Sequence, residues 1–181
     1  DATVVAVLPG SRMGEVTRLG SDFAGACAWL AQHRPGLSFI APMVNASVRA
    51  EFERAWRQQA PQLAVQLLDG GSRAALAAAD VVLVASGTAT LETLLSKRPM
   101  VVAYRLGALT AFVLRRLGLV KVAHFAQPNL LVGRRIVPEY FQDEVRPDAL
   151  GAALLAQLDD AAARATLEQE FTRVHESLRR G

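Results

Sequence analysis

The sequence holds a single cysteine, Cys27, which excludes a disulfide framework within the chain and fits a reducing compartment. Cys27 falls on the apolar stripe of a helical pattern, a place for a core residue and not for a nucleophile. The histidines His33, His124 and His175 lie far apart with no ligand spacing, so no metal site is expected. There is no Asp-x-Asp to hold a nucleotide-bound metal ion, no Gly-Lys-Ser/Thr of a P-loop and no Gly-x-Gly-x-x-Gly. Pro42-Met43-Val44-Asn45 stands where a dinucleotide enzyme would place a ribose-binding acid, which disfavours nicotinamide and flavin dinucleotides. No apolar run is long enough to span a bilayer, and no signal peptide is visible. Lysine is scarce, with only Lys97 and Lys121. With no basic run interleaved with aromatics, nucleic acid is not an expected partner.

What is there is a chain of 181 residues with net charge +3 and a pI of 9.6, enough for one domain with a sizeable core. The modest basicity suits an anionic ligand or an anionic membrane surface. The chain opens at Asp1 in a strand context without an initiator Met, and is read as part of a longer protein whose remainder precedes it. Apolar runs at 4–8, 37–41, 63–68, 81–85 and 100–104 read as strands. Between them lie helical patterns: the stripe Val16, Leu19, Phe23, Cys27 and Leu30, the stripe Val48, Phe52, Ala55 and Trp56, and the segments 74–79 and 88–96. Leu109, Phe112, Val113, Leu117 and Val120 mark another helix, Pro147 opens a late one, and 159–181 reads as an amphipathic last helix. Such alternation predicts a doubly wound parallel sheet, a Rossmann-like α/β fold. Its ligand would sit at the carboxyl ends of the strands, in the loops 8–15, 42–46, 68–72, 85–88 and 104–106.

Two of these loops have the makings of phosphate sites. Ser86-Gly87-Thr88-Ala89-Thr90 follows a buried strand and opens a helix, which offers bare backbone N–H groups and a helix dipole to an anion. Glu92 lies one turn beyond Thr88 on the same face, where its carboxylate would reach ribose hydroxyls. The first strand likewise enters Pro9-Gly10-Ser11-Arg12-Met13-Gly14-Glu15. Glycine there permits close backbone approach, and Arg12 suits a bidentate phosphate contact. Each loop alone is equally a capped turn with its charge in water. Together in one sheet they favour a shared phosphate site.

These blocks, continued by Pro99-Met100-Val101-Val102-x-Tyr104-Arg105, Pro128-Asn129-Leu130-Leu131-x-Gly133-Arg134 and Gln142-x-Glu144, resemble the lipid-A-disaccharide synthase family over nearly the whole chain. The resemblance is to the C-terminal, donor-binding half of a GT-B glycosyltransferase, in which two Rossmann-like domains face across a cleft. It implies transfer of diacylglucosamine from a UDP-linked donor to diacylglucosamine 1-phosphate with inversion, without metal or other cofactor. It implies Arg12 and Asn129 as catalytic contacts, and a donor site of Gly10, Ser11, Arg12, Ser86, Gly87, Thr88, Glu92, Asn129, Gln142 and Glu144. The segment Leu68-Asp69-Gly70 further resembles the uracil-reading loop of the muramyl-pentapeptide GlcNAc transferases, which adds Leu68 and Asp69. The general base and the acceptor site are expected outside this chain. The implied location is the cytoplasm, peripheral to the inner membrane, with room for a homo-oligomer.

Other readings stay open on the residues alone. Asn129 either meets a sugar or phosphate or closes its own turn. Gln142 and Glu144 either hold hydroxyls or face water. Arg134 and Arg135 read as surface residues. Residues 106–120, with Arg115 and Arg116, form either a helix that touches acyl chains or an ordinary sheet-covering helix. A UDP-sugar epimerase and a non-catalytic nucleotide-sugar-binding module share the expected architecture.

Overall fold

The computed structural model describes residues 2–108, 110, 111, 116 and 124–180. Within them run β1 (Thr3–Leu8), α1 (Met13–His33), β2 (Leu37–Met43), α2 (Ala46–Gln59), β3 (Val65–Asp69), α3 (Ser72–Ala78), β4 (Val81–Ala85), α4 (Thr88–Leu95) and β5 (Met100–Tyr104). After these come α5 (Gln127–Val132), β6 (Glu139–Phe141), a short 3-10 turn, α6 (Pro147–Asp159) and α7 (Ala161–Arg180). The helix expected from Leu109, Phe112, Val113, Leu117 and Val120, together with Arg115, lies outside the described residues.

The strands form one six-stranded sheet in the order β3-β2-β1-β4-β5-β6, with every pairing parallel. This is the expected doubly wound fold, with the change of winding between β1 and β4. The apolar runs of β1 and β4 serve both faces because side chains alternate along a strand. Val5, Val7, Val81 and Leu83 pack with α1, α2 and α6, including Phe23, Phe52, Trp56 and Leu154. Ala6, Leu8, Val82 and Val84 face the other way, against Leu76, Leu94 and Phe171 of α3, α4 and α7. Cys27 is fully buried, and desolvation drives its thiol far above the ordinary range, which leaves it inert at neutral pH.

β6 and α5 were not anticipated. β6 is three residues long, too short for an alternation to register. α5 opens with Pro128 near its start and closes at Gly133 with φ +71°, the usual pair of helix boundary residues. They frame only six residues, a length at which such signals read equally as a turn.

The end of β5 is riveted to the helical layer by Arg105. Its Nη1 donates to Asp22 Oδ2 at 2.6 Å, and its Nη2 to the carbonyl of Val145 at 2.7 Å. Arg18 Nε in turn donates to the Arg105 carbonyl at 3.1 Å. Burial pushes the Asp22 carboxyl above its ordinary value, and the Arg105 guanidinium recovers only part of that rise.

Candidate functional site

Helices α1 and α4 leave β1 and β4 toward opposite faces of the sheet, so the chain parts between them and opens a cleft at the strand ends. The cleft has a volume of about 480 Å³ and is walled by the ends of β1, β2 and β4 and the starts of α1, α3 and α4. Gly10, Ser11, Arg12, Ser86, Gly87, Thr88 and Glu92 all line it, so both expected phosphate loops meet there. The loop at 104–106 does not contribute to it.

The two loops differ in what they offer. At the start of α1, the Glu15 carboxylate turns back over the loop. Its Oε2 accepts from Ser11 N at 3.0 Å and from Arg12 N at 3.3 Å. It covers Gly10, at φ +118°, so closely that a Cβ there would come within 2.5 Å of the same oxygen. Glu15 thus takes up the Ser11 and Arg12 N–H groups just before the first helix, and the loop's own cation toward a ligand is the Arg12 side chain. Arg12 is exposed and carries no ion pair among the described residues. The sequence contains this signal, a Glu three residues after the N-cap.

At the start of α4 the N-cap is Gly87 with φ +153°, and no side chain caps the helix. A side chain at that backbone angle would be strained. The hydroxyls that might have capped it are engaged elsewhere: Thr90 Oγ1 donates back to the Gly87 carbonyl at 2.6 Å, and Ser86 Oγ to the Phe125 carbonyl at 3.3 Å. The N–H groups of Thr88 and Ala89 are therefore left with no partner in their own helix, beside the cleft that both residues line. The dipole of α4 adds to their pull on an anion. Glu92 lines the cleft one turn deeper, exposed and unpaired among the described residues.

The remaining expected residues lie elsewhere, and the reason is legible in each case. Asn129 is fully buried and does not line the cleft. Its Nδ2 donates to the Val137 carbonyl at 3.0 Å, and its Oδ1 accepts from Ile136 N at 2.7 Å and Val137 N at 2.9 Å. The amide staples the turn after α5, with both of its ends engaged by backbone groups. Gln142 Oε1 accepts from Leu106 N at 2.6 Å, and Glu144 Oε2 from Phe141 N at 2.9 Å. Both side chains order local backbone outside the cleft. Leu68 packs into the core, and the exposed Asp69 carboxylate pairs with Arg49 at 2.7 Å. Their neighbours Gly70 and Ser72 line the cleft in their place, with Met43 and Val44.

Glu139 joins Asn129 in fixing this region. The carboxylate is nearly buried and accepts from Phe125 N at 3.0 Å, Ala126 N at 2.9 Å and His124 Nδ1 at 2.7 Å. Burial raises its pKa, but the N–H groups of Ala126 and Phe125, with His124 and Asn129, together hold it below the ordinary value. A depressed carboxyl stabilises the fold above its unfolded-state pKa, and that stability is lost as pH falls through the folded-state value.

The sequence profile of the lipid-A-disaccharide synthetase family matches residues 1–180. The lipid-A-disaccharide synthase of Alkalilimnicola ehrlichii is 50% identical over 177 residues, covering 98% of this chain and 46% of that protein. The one from Pseudomonas aeruginosa is 49% identical over 179 residues, again covering 46% of the relative. The chain thus spans slightly less than half the length of these curated relatives. Among solved structures, a UDP-N-acetylglucosamine 2-epimerase from Listeria monocytogenes superposes with a TM-score of 0.63 at 13% identity, covering 94% of this chain and 40% of that one. The C-terminal domain of a group 1 family glycosyl transferase from Francisella tularensis gives 0.59 at 13% identity, covering 97% of this chain and 85% of that domain. At such identities these likenesses speak for the fold alone. With half-identical relatives over nearly all of its length and the family profile matched throughout, the chain belongs to the lipid-A-disaccharide synthase family.

Proposed function

We propose that this chain is the donor-binding half of an inverting glycosyltransferase that moves diacylglucosamine from its UDP-linked donor to diacylglucosamine 1-phosphate. The observation that carries the reading is the uncapped start of α4, facing the same cleft as Arg12 and Glu92, in a chain of this family. The diphosphate rests on the Thr88 and Ala89 N–H groups, and Arg12 donates to it from across the cleft. Glu92 accepts from the ribose hydroxyls.

In the reaction the acceptor's primary hydroxyl attacks the anomeric carbon as the bond to the β-phosphate oxygen breaks. The charge that builds on the departing diphosphate is met by the helix dipole and by Arg12, both fixed before the reaction begins. The proton of the attacking hydroxyl passes to a base supplied by the remainder of the protein. The charged side chains lining this half of the cleft are Arg12, Glu15 and Glu92, so side-chain charge alone does not favour an anion, and the backbone N–H groups carry correspondingly more of the binding. The lipid substrates place the working enzyme at the cytoplasmic surface of the inner membrane. Among the described residues no helix is long and apolar enough to cross one, and the net charge of +3 favours contact with anionic headgroups.

Calorimetric titration with UDP, ATP and NAD, alongside an assay for disaccharide product, tests this reading. UDP should bind measurably better than ATP or NAD, and the chain by itself should form no disaccharide. Preference for ATP or NAD would contradict the donor assignment, and disaccharide formation would contradict the placement of the base.

A further inference from the structure

Gln127 is a cleft residue that no motif marked. It lines the cleft beside Ser86, Gly87 and Thr88. Its amide has no hydrogen-bond partner at either end among the described residues, and its Oε1 is buried in that state. A buried polar atom without a partner is destabilising and uncommon in a folded protein. The segment that carries it is nevertheless tied down by hydrogen bonds on both sides of it. Glu139 ties down Phe125 N and Ala126 N, Asn129 staples the turn behind α5, and Ser86 Oγ bonds the Phe125 carbonyl. Of the described residues from 124 to 144, Gln127 alone lines the cleft. A polar scaffold thus positions one amide, and among the described residues that amide is left unused.

We propose that Gln127 is a further ligand-contacting residue, one that hydrogen-bonds the nucleotide sugar at the diphosphate–hexose end, next to the start of α4. The assignment rests on the nucleotide-sugar reading of the cleft. The terminal torsion of glutamine is broad and roughly two-fold, and no protein partner fixes the amide. It therefore presents either its N–H to a phosphate oxygen or its carbonyl to a hydroxyl.

The test uses Gln127→Leu and Gln127→Glu, with thermal melts and calorimetry against UDP and UDP-N-acetylglucosamine. Leucine fills similar space without an unmatched amide, so the midpoint of the unliganded Gln127→Leu protein should hold or rise. Its affinity for UDP-N-acetylglucosamine should fall by about fivefold, the worth of a typical hydrogen bond. A purely structural residue would not move these two readouts in opposite directions. If the amide serves a phosphate, Gln127→Leu weakens UDP as well, and Gln127→Glu weakens it more through charge repulsion. If it serves a hexose hydroxyl, UDP is unaffected and Gln127→Glu retains the sugar nucleotide. Either pattern supports the contact. Parent-like affinity of Gln127→Leu for both ligands overturns the contact and leaves the nucleotide site standing. Failure of the parent protein to bind either ligand overturns the site reading itself, and this contact with it.

Discussion

Arg105→Ala is expected to lower the thermal midpoint by about 6–12 °C, the equivalent of about 3 kcal/mol for a chain of this size. The substitution leaves the Asp22 carboxylate, whose side chain is only 17% exposed, without its cation. It also removes the donor to the Val145 carbonyl. Loss of one partner from such a pair costs more than the pair contributes, because the remaining charge stays desolvated. The pH dependence has a definite sign. Asp22 already titrates above its ordinary value in the folded protein, and a carboxyl with a raised folded pKa loses stability as pH rises through that value. Without Arg105 the pKa climbs further. The gap between variant and parent should therefore be wider at pH 7 than at pH 4, where Asp22 takes up its proton at little cost. Adding Asp22→Asn to the variant should narrow the gap at pH 7. Melts of the parent and both variants at the two pH values check this, and a gap independent of pH would mean that Arg105 acts through its backbone hydrogen bonds and packing and not through the Asp22 charge.

Arg12→Ala should weaken UDP binding tenfold or more, because a charge-assisted hydrogen bond contributes about 1.5–3 kcal/mol. Uridine, which has no phosphate, should bind the variant and the parent alike. Arg12 is exposed and pairs with no acid among the described residues, so the melting midpoint should stay within the small range of surface substitutions. Equal losses for UDP and uridine would place Arg12 on the nucleoside or in the fold.

The sheet and its winding were legible because β4 and β5 are apolar on both faces and each strand is followed by a helical pattern. Observed β4 spans Val81–Ala85 and β5 Met100–Tyr104, the limits read from the sequence. The two loops on the cleft were legible for the same reason, since a strand, a glycine and a helix start in succession place backbone at the strand ends. What the sequence could not separate was a polar side chain facing a ligand from one satisfying the backbone. On the residues alone Asn129 and Gln142 read either as ligand contacts or as local turn and surface amides, and only the family resemblance cast them as ligand contacts. In the folded chain, backbone groups from Leu106, Ile136 and Val137 take their bonding capacity. Those partners are 7 to 36 residues away in sequence, and no local pattern announces them. Glu139 was missed on the same ground, since its role depends on N–H groups 13 and 14 residues upstream. Glu15 is the opposite case. Its capping geometry is local, and it changes what the first loop has left to give.

The central claim is that the bare start of α4 receives the diphosphate. The most direct measurement is the set of backbone amide resonances of the ¹⁵N-labelled chain, followed during titration with UDP and, separately, with uridine. UDP should shift Gly87, Thr88 and Ala89 strongly, with smaller changes at Ser11 and Arg12, whose N–H groups already bond Glu15. Uridine should leave the α4 start nearly unmoved. Large UDP shifts confined to other loops, or equal shifts at Thr88 and Ala89 from uridine and UDP, would contradict the account.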